Sequence, residues 1–120
     1  MTPLWQFVAL LAVHWFADFV CQTHWQASNK SKNNDALFKH VGNYTLILIA
    51  ASLVIFGLGW IAAAFAWVNG CLHFVTDYFT SRWSAKLYAK QDWHNFFVVI
   101  GFDQLIHQVT LALTMWWLLS

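Results

Sequence analysis

Four apolar stretches dominate the chain and leave few folds open to it. They run roughly Leu4–Gln22, Leu37–Leu58, Trp60–Phe79 and Phe96–Leu119, and each approaches the ~20 helical residues that cross a bilayer core of about 30 Å. Charged residues make up only 9% of the sequence, against about 25% in an ordinary soluble domain. Six Lys/Arg and five Asp are too few to clothe a soluble globule of 120 residues. The fold expected is therefore all-α: a four-helix transmembrane bundle, one domain over residues 1–120. Composition excludes a disordered or secreted domain. A net charge of +1 excludes nucleic acid as a partner, which demands a dense cationic face. The first stretch begins at residue 4 without a basic leader, so no signal peptide is expected.

The basic residues give an orientation. Gly57-Leu58-Gly59-Trp60 reads as a tight hairpin between spans two and three. Lys30, Lys32, Lys39, Arg82, Lys86 and Lys90 all flank the other two connections, which the positive-inside rule makes cytoplasmic, with both termini and the hairpin outside. Trp5, Trp60, Trp116 and Trp117 then sit at the outer interface and Trp25, Trp83 and Trp93 at the inner one, while Trp15 and Trp67 read as packing residues. Arg82, Lys86 and Lys90 recur at i, i+4, i+8 beside Trp83 and Leu87. That spacing predicts a short helix on the membrane surface, or a continuation of span three, with a basic rim suited to an anionic headgroup.

Polar groups inside a span are costly, by ~2.5–3.5 kcal/mol for a central charge, yet this chain concentrates them there. Span one carries His14, Asp18 and Gln22 at i, i+4, i+8, on one helix face. Span two carries His40, Asn43 and Tyr44; span three repeats the spacing with Asn69, His73 and Asp77; span four carries Asp103, Gln104 and His107. Three of the five Asp and four of the six His are thus intramembrane, one such His per helix. At ~1.5 Å rise per residue the His/Asp set falls between about 5 and 16 Å from the cytoplasmic ends of the spans, a shared depth. The HxxxD-aromatic run at His14–Phe19 recurs at His73–Tyr78. This internal repeat suggests two helical hairpins related by an axis along the membrane normal.

Imidazole and carboxylate one turn apart on facing helices are how bundle cores hold metal ions. His14, His40, His73, His107, Asp18, Asp77 and Asp103 offer ligands for one closed or two open sites, and N/O donors without a thiolate set suit Zn, Mn or Fe. The plainer reading is interhelical glue, worth ~0.6 kcal/mol per polar group; it fits Gln22, Asn43, Asn69 and Gln104, for which orientation of ligands is the rival role. For the carboxylates glue fits poorly, since amides would serve at lower cost. Tyr44 is a possible acid or a satisfied aromatic. Cys21 shares the His14/Asp18 face as a marginal extra ligand, and nothing pairs it with Cys71. His24 and His94 read as interfacial.

The runs around His14, Asp18 and Gln22, around His40 and Tyr44, around Asn69, His73 and Asp77, and Asp103, Gln104 and His107 resemble a family of small bacterial and phage membrane proteins known only as a domain of unknown function. The resemblance covers nearly the whole chain and implies a bacterial inner membrane but no activity. A more distant similarity of pattern is to membrane-bound metal-dependent hydrolases, and function taken from it is analogy. Three functional readings stand. The first is a metal-dependent hydrolase of a lipid or amphipathic substrate approached from the cytoplasmic side, with His14, His73 and His107 as ligands. Asp18, Asp77 and Asp103 are then ligands, bridge or base, and His40 is ligand or acid. The second is a proton or metal-ion channel or carrier, which a homo-oligomer would have to complete. The third is a haem-b electron carrier with bis-His ligation.

Overall fold

The apolar stretches fold as helices, but capping chemistry, not hydropathy, sets their ends. A computed structural model describes residues 3–57 and 59–119, and every regular element among these is helical. Helix α1 (Leu4–Trp15) passes into a π-helical turn, Phe16–Val20; α2 (His24–Asn29), α3 (Asn34–Phe56), α4 (Trp60–Ala89) and α5 (Trp93–Leu119) follow. Leu58, the expected end of span two, lies outside the described residues.

Each boundary that differs from expectation has a local cause. The first helix stops at Val20 rather than Gln22, because the chain widens at the π turn, where the Cys21 N–H donates to the Phe16 carbonyl at 2.9 Å, and then bends. Between Thr23 and Ala36, where a connection alone was expected, α2 forms on a capping box. Thr23 Oγ1 accepts from the Gln26 N–H, and Gln26 Oε1 accepts from the Thr23 N–H, both at 3.1 Å, satisfying two orphan donors. Helix α3 starts a turn early because Asn33 Oδ1 caps the Asp35 N–H at 2.8 Å.

Between the two forms expected of the Arg82/Lys86/Lys90 segment, the continuation is the one found. Helix α4 runs 30 residues without interruption, about 45 Å at 1.5 Å per residue. It ends with Gln91 at φ 58°. The N–H groups of Gln91 and Asp92 close back on the carbonyls of Tyr88 and Leu87, both at 3.0 Å, as helix C-termini do around a left-handed residue. Asp92 then caps α5 through the Asn95 N–H at 3.3 Å.

Helices α1, α3, α4 and α5 close a ring in which α1 packs on α3, α3 on α4, α4 on α5 and α5 back on α1. At the hairpin end the ring is filled by Leu10, Leu48, Phe65, Ala66, Leu111 and Met115. Helices α3 and α4 approach closely at Gly70, where a Cβ would run into Thr45, as small residues permit in packed apolar helices. The outside is apolar: Leu46, Val54, Phe79, Phe97 and Trp117 are all exposed. Trp15 and Trp67, expected to pack, are 59% and 63% exposed on this outer face, and Asn43 also points outward. Helices α3 and α5 are each long and apolar enough to cross a membrane. Helix α1 with its π turn is shorter, and α4 is diluted by the polar residues it turns inward.

Candidate metal centre

Following each helix from the hairpin end toward the connections, apolar layers give way to polar ones. Leu10 is followed by His14 and Asp18, Leu48 by Tyr44 and His40, Phe65 by Asn69, His73 and Asp77, and Leu111 by His107 and Asp103. All these polar residues are buried. The π turn carries Asp18, whose carboxylate stands a loose 3.7 Å from His14 and faces His40 on α3, His73 on α4 and Gln104 on α5 instead.

Four ligand atoms converge there. His40 Nε2 lies 3.0 Å from Asp18 Oδ1 and 3.3 Å from Asp77 Oδ2. His73 Nε2 lies 3.3 Å from each of the same two oxygens, and the two nitrogens are 3.3 Å apart. Five of the six edges of a tetrahedron are thus within 3.0–3.3 Å. Ligands bonded to zinc at ~2.0–2.1 Å stand about 3.3–3.4 Å apart in a regular tetrahedron. Asp18, His40, His73 and Asp77 therefore have the geometry to hold a metal ion. Ligation through Nε2 leaves the proton on Nδ1, and in both rings Nδ1 is buried without a partner.

A second group adjoins the first. Asp18, Asp103 and His107 also bring one ligand atom each within 4.8 Å of one another. His107 Nε2 is 3.2 Å from Asp103 Oδ2 and 3.1 Å from Asp77 Oδ1.

His14 stands outside both groups, and its hydrogen bonds explain why. Its Nδ1 is 2.8 Å from the Tyr44 hydroxyl and its Nε2 is 2.8 Å from Gln104 Oε1. With Gln104 donating from Nε2 to Asp18 Oδ2 at 3.0 Å and Asp103 Oδ2 at 3.1 Å, one tautomer satisfies the chain. Tyr44 O–H donates to His14 Nδ1, and His14 Nε2–H donates to Gln104; the tautomer is assigned from the network. His14 and Tyr44 thus orient Gln104, and Gln104 orients two carboxylates. Asn69 is glue, donating to the Phe65 carbonyl at 2.9 Å and to Thr114 Oγ1 at 2.8 Å. Gln22, beyond the helix end, leaves its buried Oε1 unpartnered. Cys21 and Cys71 are free thiols and belong to neither group.

Sequence reasoning missed Lys30, read only as an orienting charge. At the end of α2 it reaches in so that its Nζ lies 3.1 Å from Asp77 Oδ2. Burial works against its charge, but the carboxylates of Asp77, Asp18 and Asp103 outweigh that and hold its pKa above the usual lysine value. Lys30 also walls a cleft of about 30 Å³ with Asp77, Thr80, Ser81, Ser84 and Asp103, where Thr80 Oγ1 donates to Asp103 Oδ1. For the cleft, though not for Lys30 itself, the continuation of the His73–Asp77 stripe into Thr80, Ser81 and Ser84 was the available signal. Val99 lines both this cleft and a neighbouring apolar groove of about 410 Å³ bounded by Trp83, Leu87, Val98 and Phe102.

No curated protein and no solved structure matches this chain. The family model for a protein of unknown function, DUF3307, matches residues 6–120. An all-helical chain with buried His/Asp layers beneath an apolar exterior is thus a member of that family.

Proposed function

We propose that this protein is a multi-pass inner-membrane hydrolase that uses a divalent metal ion held by Asp18, His40, His73 and Asp77. The observation that carries the reading is the near-tetrahedral convergence of two imidazole nitrogens and two carboxylate oxygens at 3.0–3.3 Å. Charge supports it. The buried carboxylates of Asp18, Asp77 and Asp103 face one ammonium, Lys30, so that with the imidazoles neutral, as metal ligation requires, two negative charges remain. A divalent ion cancels them in that form.

The bundle is read as crossing the membrane four times. Its outward apolar residues meet lipid, and its Lys/Arg residues all lie toward the end that carries the site, which makes that end cytoplasmic. In that orientation the cleft beside Lys30 opens toward the cytoplasmic leaflet. The apolar groove that shares Val99 with it suits the chain of an amphipathic substrate, and Lys30 suits an anionic headgroup. A bound divalent ion supplies a Lewis acid and brings the pKa of its water towards ~7. Asp18 and Asp77 hold the ion, Gln104 fixes Asp18, and the Asp103–His107 pair on the cleft side takes up the proton. A transmembrane relay is disfavoured, because Leu10, Leu48, Phe65 and Leu111 seal the ring at the hairpin end.

The test is hydrolysis of alkyl-chain p-nitrophenyl esters and phosphates by detergent-purified protein. Activity lost on chelation, restored by Zn²⁺, Mn²⁺ or Fe²⁺ and rising with alkyl length is expected. Turnover indifferent to chelation, or none across both substrate series in metal-loaded protein, would refute it.

A further inference from the structure

Resting on the metal reading above, we infer that the centre is dinuclear: a second divalent ion sits between Asp103, His107 and the far oxygens of Asp18 and Asp77. The two carboxylates divide their oxygens. Asp18 turns Oδ1 to His40 and His73, and Oδ2 toward the amide of Gln104 at 3.0 Å. Asp77 turns Oδ2 to His40 and His73, and Oδ1 to His107 Nε2 at 3.1 Å. Asp77 thus gives its second oxygen to His107 and Asp18 gives its own to Gln104 beside Asp103; two carboxylates dividing their oxygens in this way have the arrangement of bridging ligands, as in the carboxylate-bridged metal pairs of helical bundles.

The imidazoles fit the same spacing. His73 and His107 stack with centroids 3.9 Å apart and planes 9° from parallel, and both direct Nε2 at Asp77, one at each oxygen. Lone pairs running side by side from such rings meet two points about 3.5–4 Å apart, which is the ion separation of two-metal hydrolytic sites.

An independent feature marks the second position as open. Ser81, 8% exposed, lines the cleft with Asp77 and Asp103, and its Oγ has no hydrogen-bond partner. Gln104 now fills the gap between Asp18 Oδ2 and Asp103 Oδ2 with its NH₂ group. Turning the amide over offers Oε1 to the ion and an N–H to His14, whose ring takes the other tautomer and donates to Tyr44. In the dinuclear form Asp103 and His107 are ligands rather than the proton acceptor, and the added positive charge lies at the cleft where an anionic headgroup enters.

The measurement uses full-length protein loaded with Mn²⁺ in detergent. Two ions per chain and an exchange-coupled EPR spectrum are expected. His107→Ala and Asp103→Asn should each bind one ion and give the spectrum of an isolated Mn²⁺. Wild-type protein that saturates at one ion with an uncoupled spectrum overturns the second site and leaves the single-ion hydrolase standing. Protein that binds none overturns both. The wild-type spectrum decides the matter even if neither variant folds.

Discussion

The two ends of the bundle are built on opposite principles. At the hairpin end Leu10, Leu48, Phe65, Leu111 and Met115 fill the ring, and the packing is that of any helical core. One or two turns further along the same helices, the ring is filled by His14, Asp18, Tyr44, His40, His73, Asp77, His107 and Asp103, all buried. Helix, spacing and depth are shared; only the side chains differ. Apolar packing fills one end, whereas the other buries carboxylates that Lys30 and the histidines face at hydrogen-bond distance and that have the geometry to hold a metal ion.

If the proposed ion is bound, the comparison is broken most forcefully by removing it. An ion at 1,000-fold its Kd contributes about 4 kcal/mol, so chelation should lower Tm by roughly 10–15 °C. A chelator that leaves Tm unchanged would mean the polar end is self-sufficient. Next comes the apolar end. Leu111→Ala should cost about 2–5 kcal/mol through lost burial and the cavity left behind, with metal content unchanged; calorimetry and elemental analysis of the same sample separate the two ends. Loss of metal together with stability in Leu111→Ala would show that the ends are not independent.

How far this division was legible in the sequence depends on which residues are asked. The apolar runs and the one-turn spacing of His and Asp identified the helical layers and the six side chains of the two ligand groups, because both signals are periodic and local. Asp18 lay in the expected stripe, but a π turn, invisible to a count of 3.6 residues, aims it away from His14. Helix α4 shows a subtler failure. It supplies Asn69, His73, Asp77, Thr80, Ser81 and Ser84 to the interior, so average hydropathy underrates the helix that builds most of the site. The Thr23–Gln26 capping box was present in the sequence and passed over. Lys30 could not have been assigned, since its contact with Asp77 spans 47 residues and depends on α2 turning it inward.

Smaller effects sharpen the boundary between the ends. Gly70→Ala should destabilise by about 1–3 kcal/mol, because its methyl group would displace Thr45 at the α3–α4 contact; denaturation in detergent reads this directly. Lys30→Gln removes a cation that competes for Asp77 Oδ2, and metal affinity measured by competition with a chelating dye should rise about tenfold, a 1.4 kcal/mol effect. Affinity that falls instead would make Lys30 a supporting group and not a competitor. Smallest of all, Trp67→Ala on the outer face should shift stability by no more than about 0.5 kcal/mol; a core-sized loss would return Trp67 to the interior.

The claim that the four-atom convergence is a metal site is tested most directly by the metal content of Asp77→Asn beside that of the wild type. Asparagine keeps the shape and the hydrogen-bonding reach of the side chain but removes the charge that an ion requires. Wild-type protein purified in detergent and desalted should retain stoichiometric divalent metal. Asp77→Asn should retain almost none and melt at a lower temperature. Equal metal content in the two proteins, or a variant that melts at the same or a higher temperature than the wild type, would contradict the site and leave these buried histidines and aspartates as scaffolding.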